Sequence, residues 1–366
     1  MTRPEIVPLT SFRFVAALYV FLFHIHIRWP LLPPGFFANI VLLGAVGMAF
    51  FFVLSGFILT YQYHGTSVSA RQFYISRFAR IYPVYLLAAC LTVPWLGIVW
   101  PAHDAAPQDW FFALGQMGAL VGSNLLLLQA WIPHFFGLWN DGGSWSIAVE
   151  AFFYALFPLI LPVLARGSPK TWWKVAAACC LLSFLPEWIY ILFQQPQPAA
   201  TFYSMPIFRL PEFVFGICLC LLSGTVRVRR WDCLIGATLL LLGVYLGLVG
   251  PRFPSYVGHN AVVLPLLGVL FIGLRQSQGR FVRVLSWRPL VWCGRVSYAF
   301  YSIQVLFIIL LVHYHEMLVA AVPALRHNLL LALAAFLSLL ACAGMVHHFL
   351  EEPARRYLKS RLGRAL

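Results

Sequence analysis

Apolar stretches of about 20 residues recur from one end of this 366-residue chain to the other, and most charged side chains fall between them. At about 1.5 Å of rise per residue, a helix of that length crosses a hydrocarbon core of about 30 Å. Inside lipid every backbone N–H and C=O must be satisfied within the protein, so stretches of this kind are expected as α-helices. The composition agrees, with 61% hydrophobic and 10% charged residues, whereas soluble domains carry about 25% charged and about 45–50% apolar. The expectation is an all-α polytopic membrane protein with no room for a separate soluble domain. No cleavable signal peptide is expected, because the first apolar segment lacks a small-residue cleavage site and carries Arg13.

Eleven apolar segments are read, near 8–27, 38–62, 81–100, 111–130, 144–165, 172–193, 203–223, 232–250, 260–274, 291–313 and 329–350. The basic residues cluster in the short connections at Arg71–Arg80, Arg166–Lys174, Arg227–Arg230 and Arg275–Arg295, and in the tail from Arg355. If all these face the cytoplasm, as the positive-inside rule expects, an even number of crossings must separate each pair. Three segments lie between Arg80 and Arg166, so one of them does not cross. The weakest is 111–130, interrupted by Gly115, Gln116, Gly118, Gly122, Ser123 and Asn124. It is expected to be re-entrant or interfacial. About ten transmembrane helices remain, with both termini cytoplasmic, a membrane-embedded region over 1–353 and a basic cytoplasmic tail over 354–366. Ile132–Gly143 then faces outside.

The net charge of +14 is therefore a matter of topology. Nucleic-acid binding would need a basic face on a soluble domain. The eight cysteines form no CxxC and no Cys/His ligand spacing, so no metal site is expected and core filling is the reading. No internal repeat of the kind common in transporters is visible.

Within the first apolar segment, Arg13 and His24 stand eleven residues apart. On a helix this is three turns plus about 20°, which puts both on one stripe about 16 Å apart along the axis. Ionisable groups within a membrane helix cost about 2.5–3.5 kcal/mol each on insertion scales. Taken alone the pair reads equally as a snorkelling arginine with an interhelical histidine, or as a cation with a proton-transfer group deeper in. His26 points about 200° away from His24 and reads as an interface residue.

Two further groups share helical faces. Arg77 and Arg80, i and i+3 at a cytoplasmic helix start, suit phosphate oxygens, though an ordinary positive-inside anchor explains most such pairs. Ser146, Glu150 and Tyr154 lie one turn apart on one face, and Glu150 is the only acid of its helix. Its partner must come from another helix, for a structural tie or for chemistry. Weaker signals are Arg209 with Glu212 as a self-contained pair, and a polar stripe of Ser297, Tyr301 and Gln304. Glu351 and Pro353 read as a helix terminus, and the basic tail as a headgroup anchor.

Five of these pieces together resemble the acyltransferase-3 family of integral-membrane acyltransferases. They are Arg13-x10-His24, the run Phe51–Phe57 (FFVLSGF), Arg77-x-x-Arg80-Ile81-x-Pro83-x-Tyr85, the Trp145–Tyr154 motif with Ser146 and Glu150, and Glu351-x-Pro353. They occur in the family's order over essentially the whole chain. The resemblance implies a multi-pass protein of the bacterial cytoplasmic (inner) membrane with ten transmembrane helices. It implies acyl transfer from a cytoplasmic acyl-CoA, often acetyl-CoA, to sugar hydroxyls of surface or exported polysaccharide or a lipid-linked precursor. The donor is a co-substrate, with no bound cofactor. His24, Glu150 and Arg13 are the implied catalytic residues, Arg77, Arg80 and Tyr85 bind the acyl-CoA, and Ser146, Tyr154, Tyr301 and Gln304 support them. Many relatives carry a histidine where this chain has Tyr301 and Gln304. The sequence also closes without the hydrolase-like domain fused to some relatives, so transfer would finish within the membrane or pass to a separate protein.

The expected partners are the acyl-CoA donor, a glycan or lipid-linked acceptor, membrane lipids and polysaccharide-assembly proteins, with no nucleic acid. The competing readings are a proton-coupled transporter or flippase of a glycan-related substrate, and a non-catalytic subunit of an assembly complex.

Overall fold

A computed structural model describes residues 3–139, 143–193, 199–253 and 258–364, and its regular elements are all helical. They begin with α1 (Val7–His26), α2 (Phe36–Leu42), α3 (Gly47–Tyr63), α4 (Ala70–Thr92), α5 (Pro107–Leu125) and α6 (Trp145–Ala165). Next come α7 (Pro169–Ser183), α8 (Leu185–Phe193), α9 (Ala199–Phe202), α10 (Pro206–Leu222) and α11 (Trp231–Val244). The chain ends with α12 (Asn260–Gln276), α13 (Arg280–Leu285), α14 (Arg288–Ala321), α15 (Asn328–Val346) and α16 (Glu352–Arg364).

Among the described residues seven helical stretches are long and apolar enough to cross a membrane: Val7–His26, Gly44–Tyr63, Ala70–Trp95, Trp145–Ala165, Trp231–Arg252, Arg288–Ala321 and Asn328–Leu362. This is the make-up of a multi-pass membrane protein. Three of the ten expected crossings take other forms among the described residues. Segment 172–193 breaks at Phe184 into α7 and α8. Segments 203–223 and 260–274 become α10 and α12, each 17 residues long. Segment 111–130 becomes α5, which is helical but not among the seven, and Leu127 at φ 58° turns the chain sharply just beyond it. Residues 140–142 of the expected outward-facing stretch lie outside the described residues.

Two boundaries differ from the reading of apolar runs. Helix α4 starts at Ala70, not near 81. Ser69 and Gln72 close a reciprocal capping box there, so the polar first turns are helical. Arg77 and Arg80 are thus two to three turns inside the helix. At the other end Glu351 and Pro353 do not terminate anything. A π-turn over His347–Glu351 carries α15 into α16, with Pro353 near the start of α16. Helix α16 packs on α4.

Small residues set the closest helix approaches. A Cβ on Gly56 of α3 would meet the Phe213 carbonyl oxygen of α10, and one on Gly216 would meet the Val53 carbonyl oxygen. Small residues at such crossings let backbones touch in lipid, where apolar side chains gain little by leaving it. Gly294 of α14 stands likewise against the Thr10 carbonyl of α1. From there the two helices run in the same direction. Arg13 bonds Ser297, Phe14 and Phe21 meet Phe300 with centroids 5.5 and 5.8 Å apart, and Trp29 stacks on His315. The basic starts of α1 and α14 therefore share one end of the bundle.

Gly216→Leu should cost at least about 1–3 kcal/mol by overpacking. Thermal unfolding of the detergent-solubilised protein should show a clear loss. Gly115→Leu in α5, where a Cβ meets nothing within 4 Å, should leave the transition unchanged.

Candidate active site

Helices α1, α3, α4, α6 and α14 enclose a cavity of about 140 Å³. Three arginines line it, Arg13, Arg77 and Arg80, with Glu150 as its single carboxylate. Ser146, Tyr154, Tyr298 and Tyr301 supply hydroxyls, and Met48, Phe51 and Phe52 supply apolar wall. The helical spacings predict which of these residues share a face. Residues 146, 150 and 154 share a face of α6, 77 and 80 a face of α4, and 297 and 301 a face of α14.

Most of these polar groups are held by a neighbouring helix, and Glu150 by its own. Arg13 donates from Nε to Ser297 Oγ at 2.7 Å and from Nη2 to the Gly294 carbonyl. Arg77 bonds Ser76 Oγ at 3.0 Å through Nη2 and lies over the rings of Tyr63 and Tyr154. Among the described residues neither Arg13 nor Arg77 forms an ion pair, which leaves two cations beside one carboxylate. Arg80 differs. Its Nη1 donates to Glu351 Oε1 at 2.9 Å, and the guanidinium lies over Tyr298. Glu351 is 1% exposed, and its second oxygen sits 2.8 Å from His347 Nδ1. The Tyr154 hydroxyl donates to Glu150 Oε1 within the same helix. Ser146 and Tyr301 hydroxyls are 2.7 Å apart, and Tyr298 donates to the Ile81 carbonyl at 2.6 Å.

Next to the cavity is a vestibule of about 580 Å³ that shares Arg13, Arg77 and Arg80 with it. The wider space is lined in addition by Arg3, Arg295, Arg355 and Arg356, by His347, and by the carboxylates Glu5 and Glu352. Seven guanidinium groups around one concavity make a strongly anion-attracting mouth.

Of the residues expected from sequence, the structure brings Arg13, Arg77, Arg80, Ser146, Glu150, Tyr154 and Tyr301 together. It sets three apart. His24 is not among the residues lining this cavity; it lies on α1 about 16 Å along the axis from Arg13. Ala17 and Val20, both buried, fill the stripe between them, and Val20 packs in one apolar cluster with Met48 and Phe52. Glu150 makes its hydrogen bond to Tyr154, not to His24. Tyr85 faces away from the arginines. Its hydroxyl donates to the Asn124 carbonyl at 2.9 Å and meets Gln129, tying α4 to the turn after α5. Gln304, 1% exposed, lies outside the cavity lining, and its Oε1 has no hydrogen-bond partner among the described residues.

Sequence reading missed Tyr298, Ser55 and the outer arginines as site residues. Tyr298 was within reach, since it lies one position after Ser297 and three before Tyr301. Arg209 and Glu212 do pair, at 2.9 Å and almost fully buried, with Asn260 donating to Glu212 at 2.7 Å. No group of three or more His, Cys, Asp or Glu among the described residues could hold a metal ion.

A multi-helix membrane fold with a cavity that holds one carboxylate and several hydroxyls beside an arginine-lined mouth has the electrostatics of a site for an anionic ligand. Residues 9–348 match the acyltransferase-3 family, described as an acyltransferase domain, and the chain belongs to that family of membrane acyltransferases. It is 27% identical to "Acyltransferase MdmB" of Streptomyces mycarofaciens over 96% of this chain and 92% of that protein. It is 24% identical to "Putative peptidoglycan O-acetyltransferase YrhL" of Bacillus subtilis, covering 95% of this chain and 54% of the relative. It is also 24% identical to "Peptidoglycan O-acetyltransferase OatA" of Listeria monocytogenes, covering 82% and 49%. The chain thus spans about half the length of the two peptidoglycan relatives. No solved structure matches.

Removing one member of the buried Arg80–Glu351–His347 cluster should leave its partner uncompensated, at a cost of roughly 3–5 kcal/mol for a fully buried pair. Because Arg80 is 19% exposed, Glu351→Ala should fall at or below the low end. Denaturation of the purified protein checks this, and Glu352→Ala one residue on should be nearly silent.

Proposed function

We propose that this protein is an O-acyltransferase that moves an acyl group, most simply acetyl, from a cytoplasmic coenzyme A thioester to a carbohydrate hydroxyl. The acceptor would be a cell-surface or exported polysaccharide, or its lipid-linked precursor, and the site of action the bacterial inner membrane. The observation that carries the reading is that the arginine-lined vestibule shares Arg13, Arg77 and Arg80 with a cavity whose only carboxylate is Glu150. A coenzyme A thioester has this form, with a polyanionic head and a long uncharged arm ending in the reactive carbonyl. In the proposal Arg77 and Arg80, with Arg13, hold phosphate oxygens at the mouth. The arm runs inward past Phe51 and Tyr298, and the thioester carbonyl comes to rest beside Glu150, Ser146 and Tyr301.

The chemistry is a balanced exchange. The acceptor oxygen attacks the thioester carbonyl, its proton passes to a base, the C–S bond breaks, and the coenzyme A thiolate leaves and takes a proton. His24 is the proposed base, or the first carrier of the acyl group, on the stripe that Arg13 begins. Glu150, held by Tyr154, orients or stabilises the cation that forms. Tyr85 acts at a distance, by fixing α4 against the turn after α5. One observation favours a second reading of the base. Glu150 lines the cavity and His24 does not, so an acceptor that enters the cavity would give its proton to Glu150.

Purified protein given labelled acetyl-CoA and a glycan acceptor should label the acceptor, which a transporter, flippase or scaffold leaves bare. His24→Ala should abolish labelling while the protein remains folded and abundant. Retained labelling in His24→Ala together with its loss in Glu150→Gln would replace His24 by Glu150 as the base. Retained labelling in both would overturn the scheme.

A further inference from the structure

The basic tail read from sequence as a headgroup anchor does not trail away from the bundle. The π-turn at His347–Glu351 lays α16 along α4, and this brings Arg355 and Arg356 to the vestibule that Arg77 and Arg80 line. The guanidinium groups there fall into two layers. Arg13, Arg77 and Arg80 form the inner layer, because they line both the vestibule and the inner cavity. Arg3, Arg295, Arg355 and Arg356 line only the vestibule.

The outer layer is built, but its charge is partly answered by the protein itself. Arg3 is fixed by two donations at 2.9 Å to the carbonyls of Tyr61 and His64 at the end of α3. Glu5 pairs with Arg295 at 3.2 Å. Glu352 pairs with Arg355 at 3.0 Å and with Arg356 at 3.5 Å. Arg356 is 82% exposed, so its pair with Glu352 is weak and readily exchanged for another anion. One phosphate cluster would need only the inner layer. Two layers across one concavity suit a ligand with two separated phosphate groups on the same side of its arm.

We propose that Arg355 and Arg356 of α16, facing Arg3 and Arg295, form an outer subsite for a second phosphate group of the donor, the ribose 3′-phosphate of coenzyme A, while the inner arginines take its diphosphate. This rests on the donor reading given above. Glu352 competes with that phosphate for both arginines and sets the strength of the discrimination. A lipid headgroup offers the same phosphate chemistry at the same depth, so the test must separate the two sources.

The experiment is calorimetric titration of the full-length protein, in phosphatidylcholine and in phosphatidylglycerol nanodiscs, with coenzyme A and with dephospho-coenzyme A, which lacks the 3′-phosphate. Wild type should bind coenzyme A about tenfold more tightly in both lipids, one charge-assisted contact being worth roughly that factor. Arg355→Ala with Arg356→Ala should bring coenzyme A to the affinity of the dephospho form without changing the latter. Glu352→Gln should tighten coenzyme A alone, a gain that misfolding cannot produce. Equal affinities in wild type, or variants that weaken both ligands alike, would overturn the subsite and leave the donor reading standing. Discrimination unchanged by the substitutions, with a response only to phosphatidylglycerol, would assign the outer arginines to lipid. Binding of neither ligand would remove the donor reading and the subsite with it.

Discussion

The ion pair between Arg80 and Glu351 is the contact on which the site depends. It joins the third turn of α4 to the point where α15 becomes α16, and it does so with an acid only 1% exposed. A carboxylate at that depth needs a cation and further hydrogen bonds to offset its lost hydration, and Glu351 has Arg80 on one oxygen and His347 on the other. Two consequences follow. Arg80 is held over Tyr298, at the boundary between vestibule and inner cavity. The helix beyond the π-turn is held against α4, so that its arginines close the far side of the vestibule. π-Turns inside helices are often found at functional sites, where an extra residue re-aims the chain.

Given that anchor, the charge distribution reads as a gradient of commitment. Of the outer arginines, Arg295, Arg355 and Arg356 are paired with acids that another anion can displace, and Arg3 is bonded to backbone carbonyls. Of the inner arginines, Arg80 is paired with Glu351, while Arg13 and Arg77 are bonded to groups that leave their charge unanswered, as Arg13 is by Ser297 and Gly294. The single carboxylate, Glu150, comes last. An anionic head would be held at the arginines, while an uncharged arm could go further, past aromatic rings into the small inner cavity. That ordering favours an acyl donor whose charge and reactive carbon sit at opposite ends.

Much of this was legible in the chain because periodicity is. The i, i+4, i+8 spacing of Ser146, Glu150 and Tyr154, and the i, i+3 spacing of Arg77 and Arg80, each predict a shared face, and both faces turn to the same cavity. Long-range geometry was not legible. The eleven-residue spacing of Arg13 and His24 gives one stripe correctly, but it cannot say that the cavity ends before the stripe does. Tyr85 lies near the arginines in sequence, yet five positions rotate it about 140° away, onto Asn124. An apolar-run reading placed the start of α4 too late because its first turn is polar and exposed and is held helical by its capping box. It also stopped the last helix at Glu351 and Pro353, since a π-turn has no sequence signature of its own and a buried ion pair across 271 positions has none either.

An experimentally determined structure of the protein with coenzyme A bound is the most direct measurement. The account predicts the diphosphate among Arg13, Arg77 and Arg80, with the pantetheine arm entering the cavity and the thiol sulfur beside Glu150. A nucleotide bound elsewhere, or an arm that lies along the surface and leaves that cavity empty, would contradict it.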